Sequence, residues 1–286
     1  VLCRDSKDAH HVPTDLGRII QPVLIEEEGV RVVIPAELQF HAGEQLQQRR
    51  FGFFCVDPLL VIDRPQLRSK EQRLLLQNRV EGESLGALAA GPHAGQALHQ
   101  VGAALAELHR LPLPGGSTLR LHDHISSLIR PHPRALGEYA PDLAMPAQTL
   151  LEALVLAETA IDVRAIAAPI HRDVHLRQLF LGQKRVWLID WDLFAHGDPA
   201  LDVGNFCVYL LTHIAEGGSR AVSAFVAGYA QAGDAAVIGR APLYAAFTYL
   251  RLACKRVRLQ QPGWQTAATR LIMSGLRVLE EQNIYE

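Results

Sequence analysis

The period of the hydrophobic pattern changes at Gly82, and that change limits what the chain can fold into. Before it, apolar residues fall in short runs bounded by turn signals: residues 18–25, the acidic turn Glu26-Glu27-Glu28-Gly29, then residues 30–34. Runs of this length send successive side chains to opposite faces of a strand, so a hairpin is expected there. Residues 36–48 suit a helix, and residues 59–62 and 74–78 read as further strands separated by a polar loop containing Pro65. After Gly82 the spacing becomes helical. Leu98, Val101, Leu105 and Leu108 form one apolar stripe, which Pro112 and Pro114 stop. Residues 146–159, 221–230 and most of 242–282 also read as helices, whereas Pro and His leave residues 118–134 ambiguous. Two β-like runs, 178–181 and 186–190, flank Gly182-Gln183-Lys184-Arg185 and are expected to pair as a hairpin inside the helical part.

A chain of 286 residues makes roughly two packing units of about 150. Its 49% apolar and 20% charged content suits an ordinary globular protein. The expected class is α+β: a small β-rich lobe over residues 1–78, a connector over 79–83, and a larger helical lobe over 84–286, with a nucleotide seated between the lobes. Charge excludes one class of partner. Up to residue 83 there are 11 basic against 13 acidic residues, and beyond it 17 against 17, so neither part offers the bulk positive field that nucleic acid requires. No membrane span is expected, because the long aliphatic stretch at residues 150–170 contains Glu152, Glu158, Asp162 and Arg164. The first residues lack both an apolar signal core and an initiator Met. That leaves open a start inside a longer product and makes a cytoplasmic location the expectation. Four cysteines without CxxC spacing fit reduced thiols. The oligomeric state cannot be read from the sequence.

Chemistry concentrates in three ordered blocks: His171-Arg172-Asp173-Val174-His175-Leu176-Arg177-Gln178, then Leu188-Ile189-Asp190-Trp191-Asp192, then Gly197-Asp198-Pro199-Ala200-Leu201-Asp202. Phosphoryl transfer needs one carboxylate to orient the attacking hydroxyl and oxygen ligands to hold magnesium against the nucleotide phosphates. Asp173 in a loop, Gln178 at the start of a strand and Asp190 after the hairpin supply three oxygen-bearing side chains that the hairpin folds together.

These blocks resemble the aminoglycoside phosphotransferase family, a branch of the protein-kinase-like fold. The resemblance covers residues 74–260. Residues 75–82, Leu75-Leu76-Gln77-Asn78-Arg79-Val80-Glu81-Gly82, are similar to the strand and hinge that hold adenine, and Leu105-Ala106-Glu107-Leu108-His109 is similar to the helix that follows. The resemblance implies a bilobal kinase-like fold and transfer of the γ-phosphate of ATP or GTP, with Mg, to a hydroxyl of a small antibiotic or metabolite. It implies Asp173 as the base or hydroxyl-orienting group, with His171 and Arg172 bracing its loop. Asp190 and Gln178 become metal ligands, the Asn78 carbonyl and Val80 amide meet the adenine edge, and Asp202 hydrogen-bonds the loop backbone.

The sequence departs from the family pattern in two places. Gln178 stands where the family usually has Asn, which moves the amide oxygen outward by about 1.5 Å. No Lys occurs between residues 8 and 69, and the strand expected to carry a phosphate-gripping Lys reads Arg31-Val32-Val33-Ile34-Pro35; Arg31 is the candidate replacement cation. A GxGxxG phosphate loop is also missing from the sequence. The alternative reading is therefore a kinase-shaped binding protein with impaired catalysis. Elsewhere, His122-Asp123-His124 is read as a surface loop and Asp192 as a residue satisfying local amides. Trp187 is assigned to the core, and Lys255, Arg256 and Arg258 to a solvated helix face that could instead meet an anionic substrate.

Overall fold

The computed structural model describes the backbone of six short strands between residues 23 and 78, together with Val80 and residues 82–113, 117–182 and 185–284. The chain divides into two compact units that part between Glu81 and Gly82, with residues 56–61 counted in the second.

The six strands are β1 (Val23–Glu27), β2 (Val30–Ile34), β3 (Cys55–Val56), β4 (Leu60–Ile62), β5 (Leu67–Ser69) and β6 (Leu74–Asn78). Four of them form an antiparallel sheet in the order β1-β2-β6-β5. The expected hairpin is present with a different boundary. Glu26 and Glu27 belong to β1, in register with Arg31 and Val30, which leaves only Glu28 and Gly29 between the strands. The polar loop around Pro65 also gives way at its end to β5, whose Leu67 pairs with Leu76. The helix expected at residues 36–48 lies outside the described residues.

The long segment of the second unit begins at Gly82, whose φ of 116° is open to glycine alone and whose missing Cβ would overlap the Leu181 carbonyl. Glu83, expected in the connector, instead begins β7 (Glu83–Ser84), which pairs with β9 (Leu179–Leu181). The anticipated hairpin joins β9 to β10 (Val186–Leu188), with Trp187 opposite Phe180 and buried in the core as expected. The unit also holds a second antiparallel pair, β8 (Ala168–Ile170) with β11 (Ala195–Gly197). It brackets the hairpin and brings residues 171–173 beside residues 189–198.

Helices supply the rest: α1 (Leu85–Leu88), α2 (Ala94–His109), α3 (Leu121–Leu128), α4 (Leu136–Tyr139), α5 (Ala144–Glu158), α6 (Val163–Ile166), α7 (Ala200–His213), α8 (Gly218–Ala232), α9 (Ala235–Leu259) and α10 (Trp264–Glu281). The predicted α2 stripe is the buried one, since Leu98, Val101, Leu105 and Leu108 are all at most 3% exposed. The long helical reading at residues 242–282 resolves into α9 and α10, broken where Gln260 and Gly263 take positive φ. α9 is the central helix, burying Leu243, Phe247, Leu250, Cys254 and Val257 at alternating spacings of four and three. α2 and α8 cross in contact at two glycines. A Cβ on Gly102 would overlap the Phe225 carbonyl oxygen, and one on Gly228 the His99 carbonyl oxygen. Among the described residues no helix is long and apolar enough to cross a membrane.

Candidate active site

The loop after β8 carries His171, Arg172 and Asp173, and its backbone is suspended from one carboxylate. Asp202, in the first turn of α7 and fully buried, accepts from the His171 N–H at 2.7 Å through Oδ2 and from the Arg172 N–H at 2.7 Å through Oδ1. The His109 Nε2–H adds a third donor at 3.3 Å, and His109 Nδ1 in turn accepts from the Tyr229 hydroxyl at 2.8 Å. Burial alone would raise the Asp202 carboxyl, but the hydrogen bonds from His109 and the His171 backbone outweigh it and hold the group below the ordinary carboxylate value. Asp198, the other acid of that block, is buried under a two-pronged bond from Arg240, at 2.7 and 3.0 Å, and caps the Ala200 N–H.

Side chains complete the brace. His171 is wholly buried; its Nε2–H donates to the Ile189 carbonyl at 2.8 Å, so Nδ1 is left to accept from the Asp173 N–H at 3.3 Å. Arg172 takes a φ of 73°, which costs an L-residue about 1–2 kcal/mol. Its buried guanidinium offsets that cost by donating to His124 Nδ1, the Ser127 hydroxyl and the Leu193 carbonyl. The triplet at residues 122–124 is therefore no surface loop. It lies on α3, Asp123 accepts from the Arg120 N–H, and His124 is buried as the acceptor of Arg172. Burial and the Arg172 charge push the His124 imidazole down from its ordinary value to about 3.

Asp173 emerges from this frame 23% exposed. Its Oδ1 accepts from Arg251 of α9 at 2.5 Å, while Oδ2 lies 3.8 Å from His175 Nε2. Arg251 also donates to the Arg172 carbonyl at 3.3 Å, and Asn205 holds the next residue of the loop by donating to the Val174 carbonyl at 2.8 Å. Sequence reasoning missed Arg251 and Asn205. The available signal was positional, since Arg251 adjoins the buried stripe of α9, where a charged side chain needs a partner.

Asp190 does not end a strand as expected. β10 stops at Leu188, and Asp190 sits beyond it at φ 68°, exposed and just ahead of the 3-10 turn Trp191–Leu193. Gln178 is buried beside it and donates through Nε2 to Asp190 Oδ2 at 3.0 Å. The other amide atom, Gln178 Oε1, is buried and has no hydrogen-bond partner among the described residues. One exposed carboxylate beside one unsatisfied amide oxygen is the hard-oxygen donor set that suits magnesium completed by nucleotide phosphates and water. Among the described residues no group of three His, Cys, Asp or Glu forms a metal cage of its own. Asp192 is an exposed residue of the 3-10 turn, and Trp191 donates to the Leu188 carbonyl with its ring edge-on to His171.

In the first unit Arg31 lies on β2 opposite Gln77, and Asn78 ends β6. The Arg79 and Glu81 that flank Val80 lie outside the described residues.

The family model described as "Phosphotransferase enzyme family" matches residues 29–245. Curated proteins give no match. Solved structures share the fold. An amicoumacin kinase, hAmiN, determined with AMP-PNP, Ca2+ and Ami, superposes with a TM-score of 0.57 at 13% identity over 78% of this chain and 73% of that one. A microcompartment-associated aminopropanol kinase gives 0.54 at 17% identity over 91% of each chain. A choline/ethanolamine kinase family protein from Mesorhizobium loti gives 0.52 at 17% identity over 76% and 74%.

Proposed function

The chain belongs to the phosphotransferase enzyme family, and from that premise we propose that it transfers the γ-phosphate of ATP, or of GTP, to a hydroxyl of a small molecule. The solved neighbours are named as choline/ethanolamine, aminopropanol and amicoumacin kinases, which supports a small molecule as the acceptor. The observation that carries the reading is the state of Asp173. Its loop is fixed by buried bonds on every side, yet its own carboxylate is partly open, with Oδ1 held by Arg251 and Oδ2 engaged only loosely. Such a carboxylate can accept the proton of an incoming hydroxyl without having to reorganise.

In the reaction, the acceptor oxygen forms a bond to the γ-phosphorus as the bond from that phosphorus to the β–γ bridging oxygen breaks. The nucleoside diphosphate leaves and the hydroxyl proton passes to Asp173 Oδ2. His171 and Arg172 hold the loop in register, and Arg251 sets the plane of the carboxylate. Asp190 and Gln178 would hold magnesium, which when bound neutralises charge on the phosphates. The hydrogen bond from Gln178 Nε2 to Asp190 Oδ2 supports assigning the two side chains to one ligand set. The Asn78 carbonyl and the Val80 amide are assigned to the adenine edge, with residues 1–78 as the nucleotide-binding lobe, 79–83 as the hinge and 84–286 as the catalytic and substrate lobe.

Asp173→Asn tests the proposal. Turnover should fall about 10²–10⁴-fold while nucleotide binding, measured by thermal shift with MgATP, persists. Asp190→Asn should weaken that shift as well. Full turnover by the Asp173→Asn variant would sink the assignment, and no shift with any nucleotide would favour a binding protein over an enzyme.

A further inference from the structure

A cavity of about 180 Å³ opens in the second unit against α7, α9 and α10. Its wall includes Tyr209, His213, Lys255 and Arg256, with Thr212 and three leucines completing it. Among the described residues no Asp or Glu lines it. It is smaller than the roughly 300–1,000 Å³ usual for drug-sized ligands, so it suits a metabolite of a few carbons.

Two contacts tie this cavity to Asp173. The Tyr209 ring packs 5.3 Å from the His175 ring, and His175 Nε2 lies 3.8 Å from Asp173 Oδ2. The Tyr209 hydroxyl also lies within the fields of Arg251 and Asp173, although burial is what mainly raises it. On α9 the base's partner and the cavity's cations occupy successive turns. Arg251 and Lys255 are four residues apart on one face, about 6 Å along the axis at 1.5 Å per residue. Asp173 stands behind His175 and Tyr209 rather than in the cavity wall, and the two positive side chains of the wall lie one turn of α9 beyond its partner Arg251.

We propose that this cavity receives the acceptor, and that the acceptor is an anion: a short hydroxylated molecule whose carboxylate or phosphate is held by Lys255 and Arg256 while its hydroxyl reaches Asp173. The proposal rests on the reading of Asp173 given above. Arg177 adds to the field: together with Arg256 and Lys255 it acts on His213, whose imidazole burial and these charges hold below its usual value. The His213 ring meanwhile packs beside Tyr209 and bonds the Tyr209 carbonyl at 3.1 Å. A positively charged amine in this cavity would meet like charges with no carboxylate among the described residues of the wall to pair with, whereas an anion would gain charge-assisted hydrogen bonds.

Three probes on one glycerol frame separate the cases: glycerol 3-phosphate, glycerate and 3-amino-1,2-propanediol. Titration calorimetry of the whole chain should show the two anions binding about tenfold or more tighter than the amine. Lys255→Ala with Arg256→Ala should abolish that preference at an unchanged melting temperature, and Lys255→Glu with Arg256→Glu should reverse it. An amine that binds as well as the anions, or an anion preference that survives the double alanine change, overturns the proposal. Phosphate transfer from MgATP to the same probes keeps the two readings apart. Transfer to the amine that needs Asp173 would retain the catalytic site and sink the anionic acceptor. Anion binding lost with Lys255 and Arg256, but without any turnover dependent on Asp173, would retain the cavity and sink the catalytic reading.

Discussion

Asp202 and Asp173 serve the same loop from opposite surroundings. Asp202 is wholly buried and spends both oxygens on three donors, two of them backbone N–H groups of residues 171 and 172. Asp173 is partly open and has one oxygen bound by a single guanidinium. The difference separates two jobs for the same functional group. A carboxylate with its acceptor capacity filled fixes geometry, while one left partly unfilled at a solvent-facing edge is free for chemistry.

That contrast can be broken most directly by Asp202→Ala. It strands two buried backbone donors and His109, and should cost about 3–5 kcal/mol in denaturant unfolding, whereas Asp173→Asn should leave the unfolding midpoint nearly unchanged. Equal stability of the two variants would erase the distinction. A milder probe works through the helices behind Asp202. Gly228→Ala forces a methyl into the His99 carbonyl and shifts the neighbouring Tyr229 that supports His109, with an expected loss of about 1–3 kcal/mol in thermal unfolding.

The smallest effect is a pH slope. His124 is held neutral in the fold, at about 3 against an ordinary 6.5, so the unfolded chain binds the extra proton first. Its contribution to stability is complete above about pH 6.5 and is lost progressively as pH falls towards 3. His124→Asn, which keeps an acceptor for Arg172, should flatten the fall in melting temperature between those limits. A slope identical to that of the parent chain would show that His124 does not set it.

The three acidic blocks were legible because their chemistry is local: residues 171–173, 189–192 and 198–202 carry it in consecutive positions, and the hairpin between them has a turn that can be read. The bond from Asp202 to the loop followed from the family resemblance that these blocks carry. The features that the sequence does not reveal depend on contacts between distant parts of the chain. Arg251 reaches Asp173 from a helix whose pattern announces only burial, and His109, the last residue of α2, meets Asp202 only once α2 and α7 are packed. β8 and β11 are three residues each, too short to alternate visibly, and Pro169 disguises the first. In α3 the His and Ser residues hid a helix whose buried face is partly polar, because that face serves the Arg172 guanidinium.

Arg172 itself has a consequence for how the loop keeps its shape. A glycine would take the left-handed turn at no cost and hold nothing, whereas the arginine is unfavourable there until its side chain finds His124, Ser127 and Leu193. The loop therefore behaves as a sprung catch, set by tension between backbone and side chain. An event that weakens the guanidinium's hold, such as protonation of His124, would remove part of what offsets the turn's cost while the bonds from Asp202 to the His171 and Arg172 N–H groups still carry the backbone.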